Sequence, residues 1–209
     1  NVLTGYEIKE IKKKGGKFII NNQTYDRVIS TLPTPVLVKL TFNIFSEKYL
    51  SSFRKLKYLH AITLILETKR PILELTYWLN ICTDKIPFMI LAQHTNFSDK
   101  KNYDNNRLSY VGWYVDRDSK LLKMDKEEIL KLVSPYLEKI ANHKLFIKDS
   151  FLFKAPFAQP IFDKDFEKNM PAFKTPDKNF FIANLDMTYP YDRGTNYAVK
   201  LGKQVAGMI

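Results

Sequence analysis

From Leu59 to Lys154 the chain sets five extended apolar runs around one long amphipathic helix, a pattern that restricts it to a sheet with helices packed on it. The runs are Leu59–Glu67 (LHAITLILE), Thr76–Cys82, Phe88–Gln93, Arg107–Asp116 (RLSYVGWYVD) and Leu145–Lys154. Each is short, rich in β-branched and aromatic residues, and bounded by polar or turn-forming residues, as strands require. Residues 125–140 have a different period. Asp125 can cap a helix, Glu127 and Glu128 suit its positive end, and Ile129, Leu132, Val133, Tyr136, Leu137 and Ile140 form one apolar stripe. Pro135 inside that stripe predicts a kink or a fresh start. Pro35–Leu40 and Glu47–Leu56 read as short helices. With 45% hydrophobic residues in 209, the chain can bury a core without disulfides or metal. The expected fold class is α+β: a mixed, largely antiparallel sheet over residues 36–175 with flanking helices.

The two ends read differently. Tyr6, Ile8 and Ile11 lead into Gly15-Gly16 and then Lys17–Ile20, a hairpin turned where glycine takes positive φ. Asn21-Asn22-Gln23 predict a second turn, and Thr24–Leu32 a third extended run whose Val28 and Ile29 suit a strand buried on both faces. Pro33 and Pro35 donate no backbone hydrogen bond, so they end the ladder and mark a domain crossing. At the other end, Asn179–Leu185 predicts a short buried strand, Asp186–Arg193 a polar loop, and Gly194–Ile209 a helix. Ala198, Gly202 and Ala206 fall on one helix face, a seam of small residues that permits close approach. Gly194 suits a tight turn with positive φ. A strand–loop–helix order also aims unpaired amides at whatever lies in the loop. Composition alone favours a terminal helix docked tightly on a sheet.

Charge and cysteine exclude some classes. A net charge of +11 attracts nucleic acid, anionic lipid or an anionic substrate. The lysines are dispersed, however, and no nucleic-acid motif accompanies them, so no nucleic acid is expected and peripheral membrane contact stays open. Cys82, the single cysteine, excludes an internal disulfide and a cysteine-based zinc site. It is expected as a buried inert thiol, and a reducing, cytoplasmic setting fits it. No metal site is expected. No apolar stretch approaches the roughly 20 residues of a membrane-spanning helix.

Three stretches resemble the flavin-dependent amine oxidoreductase superfamily, in particular its protoporphyrinogen oxidase and phytoene desaturase-like branch. Tyr189–Ala206 (YPYDRGTNYAVKLGKQVA) is similar to the family's last helix, Asp26–Pro33 to its "D-x-V-I-x-T-x-P" strand, and Pro87–Phe97 to its "P-F-x-x-x-x-E-H-T-N" run. The resemblance implies FAD as cofactor and divides the chain into residues 1–35 and 176–209, parts of an incomplete Rossmann-like FAD domain, and residues 36–175, a substrate domain. It implies cofactor contacts from Ile8, Thr31, Asp192, Arg193, Gly194, Thr195, Asn196 and Ala198, and a substrate cavity bordered by Gln93, His94, Asn96 and Tyr114. No catalytic residue is assigned. Gln93 stands where many relatives have Glu. Ala183 is followed by Asn184-Leu185-Asp186 rather than by a glycine and an acidic residue. No G-x-G-x-x-G fingerprint occurs among only seven glycines, so the phosphate-binding βαβ segment is expected before Asn1, as a missing N-terminal partner.

The implied activity is oxidation or isomerisation of a small-molecule substrate at FAD, with the present stretch inactive alone. His94 reads either as a cavity residue or as a histidine hydrogen-bonded at a strand end. Two rival functions come from other classes: a stand-alone binding module for an apolar or isoprenoid ligand, built on Tyr77, Trp78, Trp113 and Tyr114, and a basic nucleic-acid binder.

Overall fold

Two turns that demand left-handed backbone open the chain. Strands β1 (Ile11–Lys14) and β2 (Lys17–Ile20) join through Gly15 and Gly16 at φ 57° and 81°. Strand β3 (Gln23–Tyr25) follows after Asn21 and Asn22 at φ 46° and 70°, a conformation asparagine tolerates. The three form an antiparallel sheet in sequential order. The computed structural model describes residues 1–209.

The expected single run from Thr24 to Leu32 is broken. Asp26 and Arg27 separate β3 from β4 (Val28–Ser30), which belongs to another sheet. Nor is β4 buried on both faces: Val28 and Ser30 are buried while Ile29 is 39% exposed. Helix α1 (Thr34–Thr41) starts directly after Pro33, with Pro35 in its first turn where no N–H is needed. Helix α2 (Glu47–Phe53) is capped by the Ser46 hydroxyl, which accepts from the Tyr49 N–H at 3.3 Å.

Strand β5 (Tyr58–Thr68) alternates strictly, burying Ile62, Leu64, Leu66 and Thr68 on one face. It lies in a five-stranded sheet with β6 (Trp78–Asn80), β7 (Ile90–Gln93), β8 (Arg107–Val115) and β9 (Ile147–Pro160), in the order β6-β7-β8-β5-β9. The β6–β7, β7–β8 and β8–β5 pairs are antiparallel. Between β8 and β9, helix α3 (Lys126–Ala141) covers the face carrying Ile62, Leu64 and Val111 with Ile129, Val133 and Leu137, all fully buried. Full burial of each such side chain stabilises by about 1.5–3 kcal/mol. Asp125 and Glu128 close a reciprocal capping box. The helix runs on through Pro135, so the proline does not begin a new one. That residue lies on the solvent face, where the carbonyl it leaves unpaired can be hydrated. Cys82 is also corrected: it is exposed, because β6 ends at Asn80 and the chain leaves the sheet.

After α4 (Phe166–Asn169), strand β10 (Phe180–Ile182) pairs in parallel with β4, Phe180 against Val28 and Ile182 against Ser30. A 3-10 turn (Leu185–Thr188) then leads to α5 (Thr195–Ala206). Phe180 is the hub of a second core. Its ring meets Phe18 and Phe45 edge-on at 5.5 and 5.2 Å, with Leu37, Leu50 and Ile182 around it.

The chain divides into two compact units, Asn1–Lys57 with Pro160–Ile209, and Tyr58–Gln159. The divisions at 35/36 and 175/176 that the resemblance implies both fall inside the first of these units. Leu37, Leu50 and Phe53 pack on the Phe180 core, so both short helices belong with the chain ends. No helix is long and apolar enough to cross a membrane.

Candidate functional site

The first unit carries a groove of about 840 Å³ at the carboxyl ends of its two parallel strands, the position where open α/β sheets take ligands. The β4 side contributes Ile29 and Thr31, the β10 side Ala183 and Asn184, and α5 the opposite wall. Ile29 is exposed for this reason: it faces the groove instead of a second layer. The seam of Ala198, Gly202 and Ala206 borders the same groove and is exposed. A Cβ at Gly202 would meet nothing within 4 Å. Val205 is the one buried side chain of the helix, clustered with Phe181 and Ala183. The small residues therefore leave a space rather than pack into one.

Polar groups face that space. The first-turn amides of α5 have no intrahelical partner, and no side chain caps them. Gly194 precedes them at φ −152°, ψ 153°. This is extended backbone, so the positive φ expected from sequence is corrected: the turn needs no glycine for its conformation. A Cβ there would instead come within 2.5 Å of the Asn196 side-chain oxygen. Arg193 lines the groove partly buried, and that burial pulls its pKa down from the usual guanidinium value.

Asn184 supplies the most informative atom. Its Nδ2 donates to the Leu32 carbonyl at 3.0 Å and to the Thr34 hydroxyl at 2.9 Å. A carbonyl only accepts, so the amide must turn its nitrogen that way. The buried Oδ1 is left without a protein partner beside the groove. Behind it, Thr34 donates to the Asp186 carboxylate, which is buried and does not line the groove.

Of the residues predicted to touch cofactor, the groove gathers Thr31, Arg193, Gly194, Thr195 and Ala198. Ile8 instead packs against the Phe18–Phe180 core. Asp192 is exposed and accepts from the Arg193 N–H at 2.8 Å, and Asn196 is exposed on the first turn of α5. Sequence reasoning missed Ile29, Leu185, Thr188 and Leu201 as lining residues. For Asn184 the signal was its place where relatives have glycine.

The second unit carries a cavity of about 290 Å³ on the sheet face that α3 leaves open. Tyr77, Trp78, Tyr110 and Tyr114 stand around Ala61, Thr63, Ala92 and Gly112. Of the four residues expected to border a substrate cavity, His94 and Tyr114 line this one, while Gln93 and Asn96 do not. Gln93 is fully buried: its Oε1 accepts from the Ile72 and Leu73 N–H groups and the Ser109 hydroxyl, and its Nε2 donates to Thr95 and the Leu108 carbonyl. Asn96 donates to the carbonyls of Leu73, Glu74 and Thr76. Both are occupied bracing the 72–76 loop. His94 lines the cavity, and its Nε2 lies 2.7 Å from the Tyr103 hydroxyl. Burial, followed by the neighbouring Tyr103 and Tyr77, pushes the Tyr110 phenol above its usual pKa. No cluster of three metal-ligating side chains is present.

With both sites described, comparison with known proteins decides the relationship: the family model for flavin containing amine oxidoreductases matches residues 1–209. The chain belongs to that family. The family is flavin-containing, so FAD is the cofactor of the full-length protein; no curated protein sequence matches the chain. Among solved structures, a provisionally assigned protoporphyrinogen oxidase from Exiguobacterium sp. 255-15 is similar at 12% identity and TM-score 0.72, covering 96% of this chain and 46% of its own. An oxidoreductase from Methanosarcina mazei is similar at 17% identity and TM-score 0.61, with coverages of 85% and 43%. Reduced UDP-galactopyranose mutase is similar at 15% identity and TM-score 0.73, with coverages of 99% and 48%. These likenesses concern fold, and the chain spans less than half of each of those proteins.

Proposed function

We propose that this flavin oxidoreductase chain forms one wall of an FAD site with its first unit and the substrate-bearing sheet with its second. The observation that carries the reading is the Asn184 and α5 groove. It combines unpaired helix amides, a buried acceptor lacking a protein partner, an arginine and a floor cleared by small residues. Those features fit a large, flat, polar-edged group. The α5 amides suit a partly negative ligand edge, and Asn184 Oδ1 suits a ligand O–H or N–H. Bound flavin supplies the two-electron chemistry, by which a substrate is oxidised or isomerised. The residues of the chain bind, orient and exclude water.

The phosphate-binding turn of such sites is a glycine-rich loop at a helix start, and these 209 residues contain none. On this reading it comes from elsewhere in the full-length protein, residues 1–35 and 176–209 complete a Rossmann-like domain with it, and the present stretch alone neither holds FAD tightly nor turns over. Amide hydrogen exchange tests the site. Adding FAD to flavin-free full-length protein should slow exchange at Thr195, Asn196 and Tyr197. Protection confined to other elements would contradict the assignment.

A second reading, an apolar-ligand binding module, draws on the aromatic cavity in residues 58–159. The two readings are compatible if that ligand is the substrate.

A further inference from the structure

We propose that Gly112 is the floor of a substrate trough on the five-stranded sheet, and that the trough takes a flat or chain-like apolar substrate without anionic groups there. The inference deepens the oxidoreductase reading and rests on the second unit being its substrate-bearing part.

The strand register builds the trough. Ile90, Gly112 and Thr63 stand side by side across β7, β8 and β5. Two residues away along β8, on the same face, Tyr110 stands between Ala92 and Ile65, with Trp78 beyond Ala92. On the other side Tyr114 stands opposite Ala61. A row with no side chain at its centre therefore runs between rows carrying aromatic rings.

Nothing in the fold asks for glycine at that centre. Gly112 does not have positive φ, and a Cβ there would touch only the Ile90 Cβ, at an ordinary 3.7 Å. Glycine inside a strand weakens it and commonly marks a close approach by a ligand. The bare centre opens into the cavity, so the clearance is the feature that glycine provides.

The class of ligand follows from the charge. The chain carries 33 lysines and arginines, yet neither these nor any aspartate or glutamate lines the cavity. A carboxylate or phosphate placed there would lose hydration without gaining a lysine or arginine counter-charge. Flat aromatic walls favour ring or polyene surface instead. A cavity of about 290 Å³ is at the lower limit for a small-molecule pocket, so it suits a few fused rings or one segment of a longer hydrocarbon.

The test uses two fluorescent probes that differ in one sulfonate, neutral N-phenyl-1-naphthylamine and anionic 1-anilinonaphthalene-8-sulfonate, with the full-length protein. The neutral probe should bind at least tenfold more tightly. Gly112→Val should weaken it at least tenfold while Tm stays level or rises, since β-branched residues suit strands. Should Gly112→Val fail to fold, Gly112→Ala should give a smaller loss of affinity in a folded protein. Equal binding of the two probes would overturn the ligand class. Unchanged affinity for the neutral probe in a folded Gly112 variant would overturn the floor. Flavin content of the same preparations is a separate readout, and its absence would contradict the oxidoreductase reading rather than the trough.

Discussion

Gln93 shows what a single residue reveals only after folding. As one letter it is a departure from the glutamate of many relatives, and sequence assigned it to the substrate cavity. In place, its side chain makes five hydrogen bonds, two of them donated from its amide nitrogen. A carboxylate would meet the Leu108 carbonyl with no proton to give, so the amide is required where it stands. Gln93→Glu should therefore destabilise the protein by about 2–3 kcal/mol at neutral pH. The loss should shrink in acid, where the substituted carboxyl gains a proton; urea titrations at two pH values measure both. Asn184 is the opposite case, because its partnerless Oδ1 could be found only with Leu32 and Thr34 in position. Asn184→Leu should destabilise flavin-free protein by about 1–2 kcal/mol and additionally speed FAD dissociation about tenfold. Equal destabilisation of the flavin-free and flavin-bound forms would leave Asn184 a structural residue.

At the scale of elements, periodicity was sufficient wherever a run packs on one side. The alternation of β5 and the stripe of α3 emerge nearly as spaced, because each buries one face against the other. Reading failed where geometry depends on distant partners. The run from Thr24 to Leu32 splits between two sheets, since Phe180 and Ile182 recruit β4 from 150 residues away. Gly194 misled for a related reason: its backbone is extended, and its smallness matters to the space beside it. Gly194→Ala should accordingly change folding stability by less than about 1 kcal/mol, because the Asn196 side chain can turn aside. Thermal unfolding of the variant checks this. The hairpin offers a pH test. Lys13 at its tip pairs with Asp177 just before β10. Burial pushes the Asp177 pKa up, but hydrogen bonds from Lys13 and the Asn179 N–H, with the Lys13 and Lys178 charges, outweigh it and hold the pKa below 3.8. A depressed carboxylate stabilises fully above its unfolded pKa and loses that contribution as pH falls through the folded value. Stability should thus drop below about pH 4, and Asp177→Asn should remove about 1 kcal/mol at neutral pH and flatten this part of the acid limb.

For the whole molecule, two units with separate cores host two different surfaces. The Asn1–Lys57 and Pro160–Ile209 unit presents a polar-edged groove, and the Tyr58–Gln159 unit an uncharged aromatic cavity. The family and its flavin were legible from the resemblance of Tyr189–Ala206, because that motif is contiguous in sequence. The compact units were not, because Pro33 and Pro35 report where a ladder stops and not which core the next helix joins. Substrate class was illegible as well, since it depends on the cross-strand row Ile90–Gly112–Thr63, assembled from three strands. The central claim is that this chain walls an FAD site completed by the full-length protein. Visible absorbance of the purified full-length protein tests it most directly. Flavin bands corresponding to about one FAD per chain, absent from the isolated 209-residue stretch, are the predicted result; a colourless full-length protein that stays colourless after incubation with FAD would contradict it.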